Sequence, residues 1–408
     1  MEIINIDIII TLIGEYLGRR CMYFLDYMNI SDKYYYLFHE FNEVNGLACP
    51  TKVRYLKIYH DVQNIHKFTN LIKVSFGNTF KKQQLVENMF ASSVREIKIG
   101  WFFNRPIKYN VLPQNLTHLI VNSYFNKSIE SLPSSLTYLE FGFCFKQPIV
   151  TLPINLTHLK LDNYFNQPIE ENFLPPKLTC LIFGQGFNQP LKKNVLPPNL
   201  KYLDLGYMFN HSVEHLPENL KYLKFGHYFN QSIEHLPKSL KHLELGNKFS
   251  QLTSHLPPEL KYLTVEFNLT KIFKCNSIFP KSLTHLTFGQ YFTQPLECDM
   301  LPPNLTHLTF GYFFNQPLKK NILPSKLTHL TFGYHFNQPL KCNVLPPNLT
   351  HLTFGRHFNR PLKKNVLPQS LKYLKFDYYT KNILKKCVLP PNLSRIIINN
   401  RVIKKINL

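Results

Sequence analysis

Acidic residues are scarce in this chain. Asp and Glu number 25 against 47 Lys and Arg, a net charge of +22. The eight cysteines (21, 49, 144, 180, 275, 298, 342 and 387) are scattered and form no C-x-x-C pair, which argues against a zinc site. Long apolar runs are missing as well. The N-terminal run Ile8–Ile13 is short, and Glu2 and Asp7 stand where a basic leader would be needed. That argues against a signal peptide and a transmembrane helix. No G-x-S-x-G, Walker loop, H-E-x-x-H or isolated carboxylate pair occurs, so no catalytic constellation stands out. Disorder is equally disfavoured, because hydrophobic residues make up 44% and Phe and Tyr alone number 34 and 23.

What is present is a phrase of 20–22 residues, repeated from about residue 89 to the C-terminus. Leu301–Lys320 (LPPNLTHLTFGYFFNQPLKK), 323–340 and 345–362 are its clearest copies. Looser copies start near Cys49, Phe68 and Phe90, giving about 17 rungs. Such a period predicts a solenoid, in which each rung buries an apolar side that it cannot bury alone. In L-x-x-L-x-F-G, alternation places Leu305, Leu308 and Phe310 inward around a short strand. Strands are expected near 117–121, 137–141, 157–161 and onward to 394–398, all parallel, in a curved stack of roughly 75–80 Å at the usual strand spacing. Phe310, Phe332 and Phe354 should stack in its core. Gly closes each strand where the chain turns or backbones approach closely. A following Phe (125, 165, 187, 314, 336, 358) adds a second inward ladder. Two prolines per full repeat exclude a long helix from the return path. The Asn of F-N (166, 188, 315, 337) reads as a buried ladder that bonds neighbouring backbones.

The strand-face positions carry candidate partner contacts. These are His118, Tyr138, His158, Tyr202, Tyr222, His242, Tyr262, His285, His307, His329, His351 and Tyr373, with Cys180 once. Three roles are open to them: stacking of exposed rings, contact with a partner, or metal ligation. The last is the weakest, because collinear imidazoles on a flat face do not converge on one ion. Two strand positions on, Ile120, Glu140, Lys160, Asp204, Lys224, Glu244 and Thr264 vary as a specificity surface would. Lys192, Lys193, Lys319, Lys320, Lys341, Lys363 and Lys364 recur at one repeat place and predict a basic edge. That edge fits a nucleic acid, but a solvated lysine rim on a Lys-, Asn-, Ile-, Tyr- and Phe-rich chain is the plainer reading. Cys298 and Cys342 lie two rungs apart, roughly 10 Å by strand spacing. A disulfide needs Cα atoms within about 7 Å, so reduced thiols and an intracellular place fit best. The N-L-T triplets at Asn115, Asn155, Asn304 and Asn348 read as repeat consensus, not glycan sites. The segment Glu266–Phe279 loses the Gly and the F-N-Q-P phrase and should bend or bulge the stack.

Residues 1–45 do not repeat, which divides the chain into a head (1–45) and a repeat region (46–408). Ile6, Ile9, Ile10, Ile13 and Leu17 recur at helical intervals, and Met22–Met28 is a second helical piece. Ser31-Asp32 caps a third, with Tyr34, Leu37, Phe38 and Phe41 on one face.

The phrase L-P-x-x-L-T-x-L-x-F-G-x-x-F-N-Q-P-[IL] resembles the FNIP-repeat family of amoebal large DNA viruses and social amoebae, with Gln167, Gln189 or Arg360 in the outward third place. The arrangement is similar to short bacterial leucine-rich repeats. The resemblance implies a leucine-rich-repeat-like parallel β stack with short non-helical returns, and a protein-interaction role with no known reaction, cofactor or metal. For a viral member it implies the host cytoplasm. The head resembles an F-box, although Ile6-Asp7 stands where Leu-Pro usually opens it. That likeness implies that Ile9, Leu12, Ile13 and Leu17 dock on the small adaptor subunit of a cullin-based ubiquitin ligase while the repeats hold a target protein. The other reading of the head is a helical cap on the open end of the stack.

Overall fold

In each rung the strand residues alternate between buried and exposed, and this alternation decides which side of the coil they line. A computed structural model of the chain describes residues 35–37, 54–58, 65–78, 80, 84–121, 124–147, 149, 151–161, 163–251, 256–266, 279–378, 383, 389–399 and 401–403. The chain divides into two compact units, Met1–Gly184 and Gln185–Leu408. Each is a parallel β-solenoid.

The first unit carries β1 (Tyr35–Leu37), β2 (Tyr55–Ile58), β3 (Lys73–Phe76), β4 (Glu96–Ile99), β5 (His118–Val121), β6 (Tyr138–Phe141), β7 (His158–Lys160) and β8 (Cys180–Ile182). Each pairs in parallel with the next. The second carries β9 (Tyr202–Asp204), β10 (Tyr222–Lys224), β11 (His242–Leu245), β12 (Tyr262–Val265), β13 (His285–Phe288), β14 (His307–Thr309), β15 (His329–Thr331), β16 (His351–Phe354), β17 (Tyr373–Phe376) and β18 (Arg395–Ile398), again a parallel ladder. A final strand, β19 (Arg401–Ile403), folds back antiparallel on β18. Among the described residues the one helical piece is a 3₁₀ turn at Ile65–Lys67.

One correction concerns the head. The third helix expected after Ser31-Asp32 is not formed at 35–37, where β1 pairs in parallel with β2. Tyr35 and Tyr36 are good strand residues, and the unpaired edge of β2 offers backbone bonds that a short isolated helix would have to forgo. Ile6, Ile9, Leu12, Ile13, Leu17 and the Met22–Met28 piece lie outside the described residues, as does most of the irregular stretch between Glu266 and Phe279.

Three turns close a full rung. Leu305 N–H donates to Pro302 C=O across P-P-N-L (3.1 Å), where Pro303 pre-sets the turn backbone. Phe314 N–H donates to Gly311 C=O across G-x-x-F (3.3 Å). In 22-residue rungs a third turn runs from Lys363 to Val366 (3.3 Å), with Asn365 left-handed at φ 63°. The same Asn recurs at 110, 172, 194, 321 and 343. Shorter rungs replace this turn by one such as Ile233–Leu236, with no left-handed residue there.

The core is built of columns. Phe288, Phe310, Phe332, Phe354 and Phe376 stack at 5.3–5.8 Å, and Phe292, Phe314, Phe336 and Phe358 form a second column at 5.8–6.1 Å. Within a rung the two columns touch, as Phe332 and Phe336 do at 3.8 Å. The first unit has its own column, Phe80, Phe103, Phe125 and Phe145. The glycine after the strand is required by close approach. A Cβ on Gly333 would lie 1.8 Å from Gly311 O, and one on Gly311 would lie 1.8 Å from Gly289 O.

The asparagines of F-N do form a ladder: the side-chain oxygen of Asn337 accepts from Asn359 N–H (3.0 Å), and that of Asn315 accepts from Asn337 N–H (2.9 Å). The ladder runs at the surface, not in the core as expected, because the inward place in each turn is already filled by Phe. The third residue of the phrase is half-buried where it is Gln (167, 189, 338) and outward as expected at Arg360. Gln338 Nε2 reaches back to Asn315 O (3.1 Å), and Arg360 Nε makes the same bond to Asn337 O (2.9 Å).

Candidate interaction surface

Each strand from β2 to β18 turns two side chains outward, so each unit presents in-register columns. In the second unit the first column runs Tyr202, Tyr222, His242, Tyr262, His285, His307, His329, His351, Tyr373. Its ring centroids are 4.2, 5.6, 3.9, 4.2, 4.0, 4.0, 4.1 and 5.4 Å apart in order. In the first unit His118, Tyr138 and His158 follow one another at 5.5 and 6.0 Å, and Cys180 continues the register after His158. Each unit thus brings its share of the expected strand-face residues together.

A fixed hydrogen-bond pattern supports the histidines. Thr306 Oγ1 lies 3.0 Å from Thr284 O and 2.9 Å from His307 Nδ1. The backbone carbonyl accepts only, so the hydroxyl proton goes to it. Nδ1 must then carry the proton shared with the threonine oxygen, leaving Nε2 as a bare acceptor facing outward. Thr328–His329 and Thr350–His351 repeat this. Burial lowers the imidazole pKa values of His285, His307, His329 and His351. Neighbouring histidines, or Lys372 beside His351, add to the effect, and His329 falls to about 4. The rings are close to parallel, 11–13° between neighbours from His285 to His351, so their lone pairs run side by side instead of meeting. Among the described residues no group of three or more His, Cys, Asp and Glu is placed to hold a metal ion.

The second outward column carries charge in places. Tyr138 donates to Glu140 (2.8 Å), which also pairs with Lys160 (2.6 Å). Burial and that carboxylate raise the Tyr138 pKa. Tyr222 donates instead to Glu244 of the next rung, and Lys224 stands 3.4 Å from Asp204 and 4.0 Å from Glu244. Burial pulls the Lys224 ammonium down, but the two carboxylates outweigh it and its pKa ends above the usual lysine value. Such half-exposed pairs contribute about 0–1 kcal/mol each, so they shape the surface more than they hold the fold. Farther along, Thr287, Thr309, Thr331 and Thr353 make this column neutral.

The lysine edge is exposed but broken. Lys319, Lys320, Lys341, Lys363 and Lys364 sit in the left-handed-Asn turns of neighbouring 22-residue rungs, with Cys342 in place of one lysine. Lys192 and Lys193 occupy an earlier such turn, and the 20-residue rungs that follow lack it. The N-L-T asparagines donate to the preceding rung, as Asn304 Nδ2 does to Lys281 O (2.9 Å), which is a structural use of that triplet.

Sequence reasoning missed one surface. The two residues between Gly and Phe in the G-x-x-F turn point outward and are often aromatic. Trp101, Phe102, Phe143, Tyr207, Tyr312 and Phe313 are all exposed. Doubled aromatics beside the recurring Phe, as in Gly100-Trp101-Phe102-Phe103, were the signal.

Comparison with known proteins agrees with this architecture. No curated protein matches the chain. Among solved structures, CroV588, described as a novel circular LRR protein, is 33% identical over 84% of this chain and 68% of its own, with a TM-score of 0.49. YopM from Yersinia enterocolitica WA-314 is 20% identical over 84% of this chain and 80% of its own, with a TM-score of 0.51, a likeness of fold. The FNIP Repeat family matches at residues 103–144, 145–186, 187–226, 209–248, 229–268, 267–313, 314–357 and 358–401. With its repeats matched across most of its length and its rungs built on L-x-x-L-x-F-G and F-N-x-P, the chain belongs to the FNIP repeat family.

Proposed function

We propose that the chain is a non-enzymatic scaffold that holds a target protein on its strand face, and that residues 1–45 recruit a ubiquitin-ligase adaptor subunit. The observation that carries the scaffold reading is the pair of outward columns. One is a regular Tyr/His ladder. The other carries Glu140 and Lys160 in the first unit, and in the second passes from Asp204, Lys224 and Glu244 to uncharged threonines. A rigid backbone with side chains varied at fixed spacing suits recognition of one partner among many. The threonine hydroxyls beside His307, His329 and His351 spend their protons on backbone carbonyls, so these Thr–His contacts are not set up as nucleophile–base pairs. Among the described residues no helix is long and apolar enough to cross a membrane.

A second reading of the head has an observation in its favour. β1 takes the place of part of the third helix and pairs with β2, as a cap on the first rung would. The experiment that separates the two compares the full chain with residues 46–408 for binding to the purified adaptor subunit. Adaptor bound by the full chain alone supports recruitment. No binding by either leaves the head as a cap and the repeats as the binding part.

A further inference from the structure

The first unit has an exposed rim that the strand-face columns do not include. In the stretch just before the recurring Phe of successive rungs, which opens with Gly100, Asn122, Gly142 or Asp162, Trp101, Phe102, Tyr124, Phe143 and Tyr164 are 49, 51, 50, 53 and 59% exposed. Single exposed apolar side chains are ordinary, but large aromatics exposed on four consecutive rungs, two of them stacked on each other, concentrate apolar surface as interaction sites do. The rim is ordered by the fold: Tyr124 N–H donates to Trp101 O (3.1 Å), tying neighbouring turns together. Cations border it. Arg105, Lys127 and Lys146 follow the turns and are exposed, and the Lys146 ammonium lies 5.2 Å from the centre of the Tyr164 ring. Among the described residues, Glu140 is engaged by Tyr138 and Lys160, and Glu130 by Tyr109 N–H.

Two kinds of partner suit aromatics beside cations, and ring geometry chooses between them. Single-stranded nucleic acid stacks its bases on free ring faces. Here Phe102 and Tyr124 turn their faces to each other, 5.4 Å apart and 10° from parallel, and the Tyr164 face carries Lys146. At that separation no base fits between Phe102 and Tyr124, and one face of Tyr164 is covered, so the rim offers chiefly an apolar ridge beside positive charge. That is the complement of apolar side chains carried on an acidic backbone segment. We propose that the Trp101–Tyr164 rim docks an acidic protein segment whose apolar side chains seat along that ridge while its carboxylates meet Arg105, Lys127 and Lys146. The proposal rests on the reading of the chain as a protein-binding scaffold and adds a second docking surface to it.

The test uses the full chain and a fluorescent peptide of about twelve residues built from Glu-Phe-Asp-Leu repeats. Its controls are the same peptide with Ser for Phe and Leu, the same with Lys for the acids, and an oligouridylate of similar length. Binding is read by anisotropy at physiological salt. The first peptide should bind about tenfold or more tighter than either control peptide, as anchoring aromatics require. The exposed-site variants Trp101→Ser/Phe102→Ser/Phe143→Ser and Arg105→Glu/Lys127→Glu should each weaken it by about tenfold, while Tyr138→Ala on the strand face should not. Circular dichroism checks that the variants keep the fold. Equal binding of the Ser-substituted peptide, or rim variants that bind as wild type does, would overturn the proposal. So would oligouridylate that binds more tightly than the peptide and is lost on the triple serine change. Loss in Tyr138→Ala alone would overturn the rim and leave the scaffold reading standing.

Discussion

Thr306 and His307 are neighbours in sequence and joined at their tips, hydroxyl oxygen to Nδ1 at 2.9 Å. Because the hydroxyl proton is spent on Thr284 O, this bond sets the tautomer of the imidazole, and it repeats at His329 and His351. A row of neutral rings then stacks about one strand spacing apart.

Stability should therefore depend on pH in one direction. The folded chain holds these histidines below the ordinary value of about 6.5, His329 at about 4. Above pH 6.5 both states are neutral there and the column adds no pH dependence. As pH falls below 6.5 the unfolded chain takes up protons that the folded chain refuses, so stability drops until about pH 4 and then levels. Urea midpoints measured across that window should fall, and His307→Gln/His329→Gln should flatten the slope. A slope unchanged by the double variant would show that other groups cause it.

Gly333→Ala should be among the most damaging single changes. The added carbon meets Gly311 O at 1.8 Å, a backbone atom that cannot swing away. We expect a loss of about 3 kcal/mol, the upper end of overpacking penalties, in chemical denaturation. A change under about 0.5 kcal/mol, the size of ordinary surface substitutions, would mean that the rungs are spaced more loosely than described.

Asn343 tests the long-rung turn. At φ 63° it occupies the left-handed region. Asn343→Ala should cost about 1 kcal/mol, while Asn343→Gly should be close to neutral. Equal effects of the two substitutions would contradict a conformational role.

Much of this architecture was legible. The expected strands at 117–121 and 137–141 are β5 and β6 with one residue fewer at the start, because L-x-x-L-x-F alternates with period two wherever it occurs. The Phe310–Phe332–Phe354 column followed from the same register. The aromatic rim did not, since the middle of G-x-x-F changes identity from Trp101 to Gln290 to Arg356 and shows no repeat to the eye. The depth of the asparagine ladder was misread: the sequence placed Phe165 inward, and with Phe165 in the core the adjacent Asn166 is turned to the surface. Residues 35–37 read as helix from spacing alone, and the edge of β2 decided otherwise.

The lysine edge at 319–364 should bind nucleic acid only weakly and without sequence preference. Added salt removes the gain from counterion release at every phosphate the lysines neutralise, so filter binding should vanish between about 50 and 200 mM salt. Tight binding at physiological salt, abolished by Lys319→Glu/Lys363→Glu, would promote nucleic acid to the principal partner.

The most direct test of the scaffold reading is affinity capture with the full chain and with a strand-face variant, Tyr138→Ala/Tyr222→Ala/His307→Ala/His329→Ala, quantified by mass spectrometry and paired with circular dichroism on both. The account predicts a reproducible set of proteins held by the wild type and lost from the variant while the β signal is kept. The same proteins retained at the same levels by both would contradict it.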